Sequence, residues 1–271
     1  MKHDVSKTEY GNWVSLSLLK TITLLVVVFA VATFVSFLPY VNDLMPGAAL
    51  LWLLRALSAI LLCLSVWALA VFRKAHHIFS YSGGRLSAKV ISYVAGHVRC
   101  EGRVRVLDIG CGSGALAIEM AKRFPQADVT GIDFWGAGWD YGKAQCERNA
   151  RIEGVDRRTV FMQGDAAKLP FTDGEFDVAV SNFVFHEVKS QADKRKVIGE
   201  ALRVVKPGGS FAFHDLFYDK SKYGDAGELA AWLKGQAADI SLKPTADELD
   251  VPVSVRKGIF LKNIGIIYGR K

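Results

Sequence analysis

"VRVLDIGCGSGALAIEMA", residues 104–121, passes from a run of strand-forming residues through three glycines in five positions into a helical pattern. Val104 to Ile109 reads as a buried strand and Ala115 to Phe124 as the helix that follows it. Gly110, Gly112 and Gly114 let the backbone turn tightly between the two. They also let a ligand approach the main chain and the helix N-terminus without obstruction from side chains. A strand, a glycine turn and a helix in this order open doubly wound sheets, whose ligands bind at the carboxyl ends of the strands.

The residues downstream keep the same rhythm. Strands are expected at Asp128 to Asp133, Thr159 to Gln163 and Phe176 to Asn182, alternating with helices near Lys143 to Ile152 and Ala192 to Val205. "KPGG", 206–209, is expected to turn the chain into a fifth strand, Ser210 to Asp215. A helix near Ala226 to Ile240 follows, with short strands at Val251 to Val255 and Ile264 to Tyr268. The pattern predicts an α/β domain built on a mostly parallel sheet.

The glycine turn fits the dinucleotide fingerprint loosely, with Gly110, Gly112 and Ala115 in the small positions and Asp133 eighteen residues beyond Ala115, so NAD has to be weighed. Asp108, two residues before the first glycine, would face the pyrophosphate, and like charges in a dry site repel strongly. A cationic ligand would be welcome there, and S-adenosylmethionine carries a sulfonium and an ammonium with no phosphate. Asp133 can accept both hydroxyls of a ribose, and Asp165 can accept from an adenine amino group. Trp135 offers a flat apolar face for the base, as do Trp139 and Tyr141.

With those residues in hand, the chain resembles the class I S-adenosylmethionine-dependent methyltransferases, especially the small-molecule and lipid branch that includes menaquinone and ubiquinone methyltransferases. The resemblance lies in VLDIGCGSG (106–114), GID (131–133), GDAAKLPF (164–171), FDVAVSNFVFHEV (176–188) and LRVVKPGGSFAFHD (202–215). It implies a Rossmann-like, seven-stranded sheet whose last strand is antiparallel. It implies S-adenosylmethionine as cofactor, with Asp108, Gly110, Gly112 and Gly114 at its methionine end, Asp133 at the ribose and Asp165 at the adenine. Asn182 then sits where cofactor methyl and substrate meet, and Tyr81 and Arg85 of "YSGGRLS" (81–87) resemble a lid over the cofactor. His186 and His214, with Glu187 and Asp215 beside them, follow strand ends four and five. His186 ranks first as a general base and His214 second, and Glu187 is a candidate cap for the next helix.

Ahead of this domain the composition changes. Thr21 to Leu38 contains eighteen residues without a charge, and Gly47 to Phe72 is broken only by Arg55. Each run is long enough to span a bilayer, and the first lacks the cleavage site of a signal peptide. Lys2, Lys7 and Lys20 precede the pair and Arg73, Lys74, Arg85 and Lys89 follow it, which predicts that both ends face the cytoplasm. The expected organisation is a cytoplasmic tail (1–20), a transmembrane hairpin (21–72), a connector and lid (73–102) and the catalytic domain (103–271). Arg55, near the outer end, is expected to snorkel or to hold a lipid headgroup or an oligomer partner.

The net charge of +7 suits an anionic leaflet, and the basic clusters match no nucleic-acid motif, so no nucleic-acid partner is expected. Four cysteines without paired spacing predict neither disulfide nor zinc, and His76-His77 is expected to pack at the interface rather than bind metal. A membrane hairpin concentrates apolar acceptors, so a lipid, a quinone or another hydrophobic small molecule is the expected substrate. Phe183, Phe185, Phe217 and Tyr218 are candidates to line its pocket, about half of them serving the core instead. Methylation of protein or RNA at the membrane, and non-catalytic binding of S-adenosylmethionine or NAD, remain open.

Overall fold

The computed structural model describes residues 7–12, 14–44, 47–136, 142–249 and 263–271. It divides into two compact units, one of residues 12–87 and the other of residues 1–11 together with 88–271.

The smaller unit is a pair of antiparallel helices, α1 (Leu16–Ser36) and α3 (Ala48–Phe79), with the short α2 (Pro39–Leu44) between them. At 1.5 Å per residue, 21 residues make about 31 Å, close to the hydrocarbon thickness of a bilayer. Both long helices are long and apolar enough to cross a membrane by length and composition. α1 starts before the apolar run, so Lys20 is inside it, and α3 runs on past Arg73-Lys74 to Phe79. Leu24, Val28, Val31 and Phe34 stay exposed along α1.

Arg55 turns inward. Its Nε and Nη2 donate to the Ser36 carbonyl at 3.0 and 2.7 Å, and its guanidinium lies 4.7 Å from the Phe37 ring and 5.0 Å from that of Trp52. The last carbonyls of α1 have no partner within the helix, and a guanidinium fork satisfies one of them while two aromatic faces shield the charge. This replaces the expected snorkelling with an internal cap, and it leaves Arg55 buried.

The larger unit holds a seven-stranded sheet in the order β3-β2-β1-β4-β5-β7-β6. β1 (Arg105–Ile109), β2 (Asp128–Asp133), β3 (Thr159–Gln163), β4 (Phe176–Asn182) and β5 (Val205–Asp215) are parallel, while β7 (Gly265–Arg270) runs antiparallel to both β5 and β6 (Asp239–Pro244). Its helices are α4 (Leu86–Gly96), α5 (Ala115–Arg123), α6 (Lys143–Ile152), α7 (Lys194–Arg203), α8 (Lys220–Tyr223), α9 (Ala226–Lys234) and α10 (Thr245–Glu248). The core between sheet and helices includes Leu107, Ile109, Phe176, Phe185, Ile198, Phe211, Phe213 and Phe217.

Three local expectations change. "KPGG" is a bulge inside β5, because Phe176 pairs with Val205 and Val178 with Ser210, leaving residues 206–209 opposite Asp177 alone. The helix expected to reach Ile240 stops at Lys234, and Ile240 belongs to strand β6. The strand expected at Val251 to Val255 lies outside the described residues. α7 is capped by Asp193, whose side chain accepts from the Arg195 N–H, rather than by Glu187.

Replacing Arg55 by Ala removes a charged double hydrogen bond and leaves the Ser36 carbonyl uncapped, a loss of about 1.5 to 3 kcal/mol. Arg55→Lys, which cannot form the fork, recovers only part of it. Thermal unfolding of the full chain in detergent should rank wild type above Arg55→Lys and Arg55→Lys above Arg55→Ala.

Candidate active site

Because β1 to β5 are parallel, their carboxyl ends meet along one rim of the sheet. At the centre Gly110, Gly112 and Gly114 all take positive φ (72°, 56° and 86°). A Cβ on Gly110 would overlap Val184 at 2.1 Å, so packing as well as φ demands glycine there. The N–H groups of Gly110 and Cys111 donate to the Ile132 carbonyl at 2.7 and 3.0 Å, tying the turn to β2.

Asp133 completes that tie. Its Oδ2 accepts the Gly112 N–H and its Oδ1 the Trp135 N–H, each at 2.8 Å. Each oxygen keeps a lone pair for a further donor. The Trp135 indole Nε1 donates to the Gly112 carbonyl at 2.9 Å, and Trp135 holds φ at 43°. Asp165, beyond β3, is half-buried and accepts the Ala167 N–H at 2.9 Å. Trp139 and Tyr141 lie outside the described residues.

Asp108 is the outlier. It sits within β1, paired across Gly131 of β2 and Val180 of β4, only 1 % exposed, and neither carboxylate oxygen has a hydrogen-bond partner. Burial pushes its pKa up to about 8, the Ala117 N–H offsets this in part without closing a hydrogen bond, and the charge of Asp133 adds to the rise. A buried acid without a partner marks a site that lacks its counter-charge. A cationic or donor-rich group placed beside the glycine turn would supply that charge, and a pyrophosphate would oppose it.

The second cluster lies at the ends of β4 and β5. Asn182 pairs with His214 across the two strands, and its Oδ1 lies 2.8 Å from His214 Nδ1. His214 Nε2 lies 2.9 Å from Thr245 Oγ1, so both ring nitrogens are occupied, and burial pulls the His214 pKa down to about 3. His186 differs. Its Nδ1 is 2.5 Å from Oδ1 of the buried Asp215, whose other oxygen accepts the His186 backbone N–H at 3.2 Å. Burial pulls the His186 pKa down, but the Asp215 hydrogen bond and the charges of Asp215 and Glu187 outweigh it, and the net shift is upward.

Phe183, between Asn182 and His186, takes φ of 58°, with its ring centroid 4.9 Å from that of His214. Arg85, Trp135 and Phe183 are the non-glycine residues with positive φ among those described, and the last two flank the rim. Phe185 and Phe217 are core residues, whereas Phe183 and Tyr218 stay half-buried. Tyr81 and Arg85 belong to the unit of residues 12–87, Tyr81 in the turn over 81–84 and Arg85 just before α4.

One part of the site has no signature in the sequence. Residues 9 and 10 lie along α6 and the glycine turn. The fully buried Asn149 accepts the Glu9 N–H at 3.0 Å and donates to the carbonyls of Glu9 (2.8 Å) and Ser113 (2.9 Å). Ser113 Oγ donates to the Tyr10 carbonyl at 2.7 Å, and the Tyr10 hydroxyl donates to Glu153 at 3.1 Å. The N-terminal segment thereby braces the loop that turns over Asp108.

Sheet order, glycine turn and rim carboxylates together define a class I, Rossmann-like methyltransferase fold. Residues 106–209 match the family described as methyltransferase domain. The demethylmenaquinone methyltransferase of Thermus thermophilus is 39 % identical over 105 residues, 39 % of this chain and 44 % of that protein. The phthiotriol/phenolphthiotriol dimycocerosates methyltransferase of Mycobacterium tuberculosis is 32 % identical over 143 residues, 53 % of this chain and 45 % of that one. The chain thus spans less than half the length of these two relatives. A crystal structure of geranyl diphosphate C-methyltransferase from Streptomyces coelicolor shares the fold, with a TM-score of 0.52 at 15 % identity over 69 % of this chain and 80 % of that one.

Asn149→Ala leaves the Glu9 and Ser113 backbone groups unpaired, at about 1 to 3 kcal/mol for the buried ones. Hydrogen exchange should quicken first at residues 9 and 10 and in the 110–114 turn, before any change in β4 or β5.

Proposed function

We propose that the chain is a membrane-anchored methyltransferase that moves a methyl group from S-adenosylmethionine to a lipid, a quinone or another hydrophobic small molecule, with its catalytic domain on the cytoplasmic side. The observation that carries the cofactor reading is the partnerless Asp108 carboxylate under the glycine turn. The acceptor class rests on two supports. Relatives bear the names of menaquinone and mycocerosate-lipid methyltransferases, and two apolar helices precede the domain.

S-adenosylmethionine, when bound, supplies an electrophilic methyl for in-line displacement by the acceptor. In this reading the backbone of Gly110, Gly112 and Gly114 and the carboxylate of Asp108 hold its methionine end. Asp133 receives the ribose hydroxyls on its free lone pairs, Asp165 the adenine amino group, and Trp135, anchored through its indole N–H, presents its ring to the base. Asn182 orients donor and acceptor at the β4 end, and holding two reactants in register is worth up to about 7 to 11 kcal/mol. His186 takes the proton of a hydroxyl-type acceptor on Nε2 while Asp215 holds Nδ1–H. His214, neutral and buried, fixes the Asn182 amide.

The test of function is methyl-labelled cofactor incubated with the purified full chain and total membrane lipid extract, followed by chromatography. Label in the apolar lipid fraction is expected, and label confined to protein or RNA overturns the acceptor class. His186→Ala should bind S-adenosylhomocysteine as wild type does while turnover falls.

A second measurement reads Asp108 directly. In the free protein its folded pKa of about 8 exceeds the ordinary carboxylate value near 4. The folded state therefore holds a proton that the unfolded chain has lost, and the associated stability falls as pH rises from about 4 through 8. A cationic ligand group favours the carboxylate and expels that proton. Calorimetry of S-adenosylhomocysteine binding in buffers of different ionisation enthalpy should show release of about one proton near pH 7 and almost none above pH 9. Asp108→Asn should abolish the release.

A further inference from the structure

The helix pair holds a feature that anchoring does not require. At the end of the pair where α1 begins and α3 finishes, a cavity of about 500 Å³ opens between them, lined by Leu16, Leu19, Lys20, Thr23, Arg73 and His76. That volume falls in the range of small-ligand sites. Its apolar wall comes from leucines of α1, and its polar wall from two residues of α1, Lys20 and Thr23, and two of α3, Arg73 and His76.

Charge sets what it can take. Between Asn12 and Ser87 the sequence holds a single acidic residue, Asp43, and it belongs to α2 at the opposite end of the pair. Among the described residues neither Lys20 nor Arg73 has an ion pair or a hydrogen bond, and both are exposed. The Thr23 hydroxyl is spent on the Leu19 carbonyl at 2.7 Å. His76 is held in place. Its Nδ1 lies 2.7 Å from the Val14 carbonyl, which can only accept, so Nδ1 carries the proton and Nε2 is left for a ligand. The Asn12 side chain donates to the His76 carbonyl at 2.8 Å and fixes that end of the pair further.

Two uncompensated cations beside an apolar wall match a group with phosphate at one end and hydrocarbon at the other, and the His76 Nε2 lone pair can accept from a headgroup hydroxyl. We infer that this cavity binds the headgroup of an anionic phospholipid, its phosphate between Lys20 and Arg73 and its first acyl carbons along Leu16 and Leu19. A guanidinium meets phosphate through paired N–H donors and an ammonium through a point charge, so the two cations grip the same group in complementary ways. The helix termini place this charge at headgroup level, where basic residues meet the anionic leaflet. The inference rests on the membrane reading proposed above and names one lipid class within it.

The test uses the full chain in detergent, titrated with short-chain phosphatidylglycerol, short-chain phosphatidylcholine or inorganic phosphate, and followed by thermal unfolding. Phosphatidylglycerol should raise the melting temperature in a saturable way, and the other two should not at equal concentration. Lys20→Ala and Arg73→Ala should each weaken the apparent affinity roughly five- to tenfold, whereas Lys74→Ala, which removes the same charge one residue outside the cavity, should change it less than twofold. Equal response to phosphatidylcholine, equal loss in Lys74→Ala or full replacement by inorganic phosphate would each overturn the inference. Carbonate washing of membranes from expressing cells separates the two claims. Release of the chain sinks the anchor itself, while retention with no phosphatidylglycerol preference sinks the headgroup site alone.

Discussion

A carboxylate closed off from water with nothing to bond is the constraint around which the rim is organised. Asp108 sits inside a buried strand, where an unpaired ionised group is unaffordable and the acid stays protonated until about pH 8. The fold keeps it there because neighbouring elements leave it no alternative. Gly131 gives it a flank without a side chain, and Val180 closes the other. Packing alone favours an apolar residue at a position flanked by Leu107 and Ile109, and under the proposed function the acid is kept there for the cofactor.

The glycine turn above Asp108 is fixed from several directions at once. β2 holds it through the Ile132 carbonyl and the Asp133 carboxylate, Trp135 and Cys146 both reach the Gly112 carbonyl, and Asn149 and Tyr10 take up Ser113. Three residues with positive φ would be a soft loop in isolation. Here the Gly110, Cys111 and Gly112 N–H groups and the Gly112 and Ser113 carbonyls each bond to a residue outside the turn, so the loop is held from several elements at once.

Much of this was legible from residue order. β2, β3, β4 and α6 begin and end where the sequence predicts, because buried parallel strands read as short apolar runs between turn signals. β6 was hidden. "DISLKP" is a half-exposed edge strand, and Ile240 falls at a spacing that also extends the apolar face of α9. The bulge in β5 was hidden too, since Pro and paired glycines signal a turn whether or not pairing resumes on both sides. Asp108 and Asp133 stood out as acids at strand ends, but the bracing by Glu9, Tyr10 and Asn149 joins residues about 140 apart and leaves no local pattern. Arg55 looked like a misplaced charge because a carbonyl in another helix cannot be seen from the sequence around it.

The two histidines show why residue type alone could not assign the chemistry at the β4 and β5 ends. His186 follows β4 and His214 lies in the last residues of β5, both at the rim, and both bond through Nδ1 to an oxygen. The partner decides the difference. Asn182 offers a neutral amide, so burial dominates at His214, the imidazole stays neutral, and its second nitrogen is consumed by Thr245. Asp215 offers a buried charge, which stabilises an imidazolium more than burial opposes it, and Nε2 of His186 lies 3.5 Å from the exposed Glu187. A ring that gains a proton readily and is steered by a carboxylate suits a general base, whereas a ring with no free nitrogen suits a strut. Under the proposed reaction, Asn182 therefore owes its orientation to one histidine, while the acceptor hands its proton to the other.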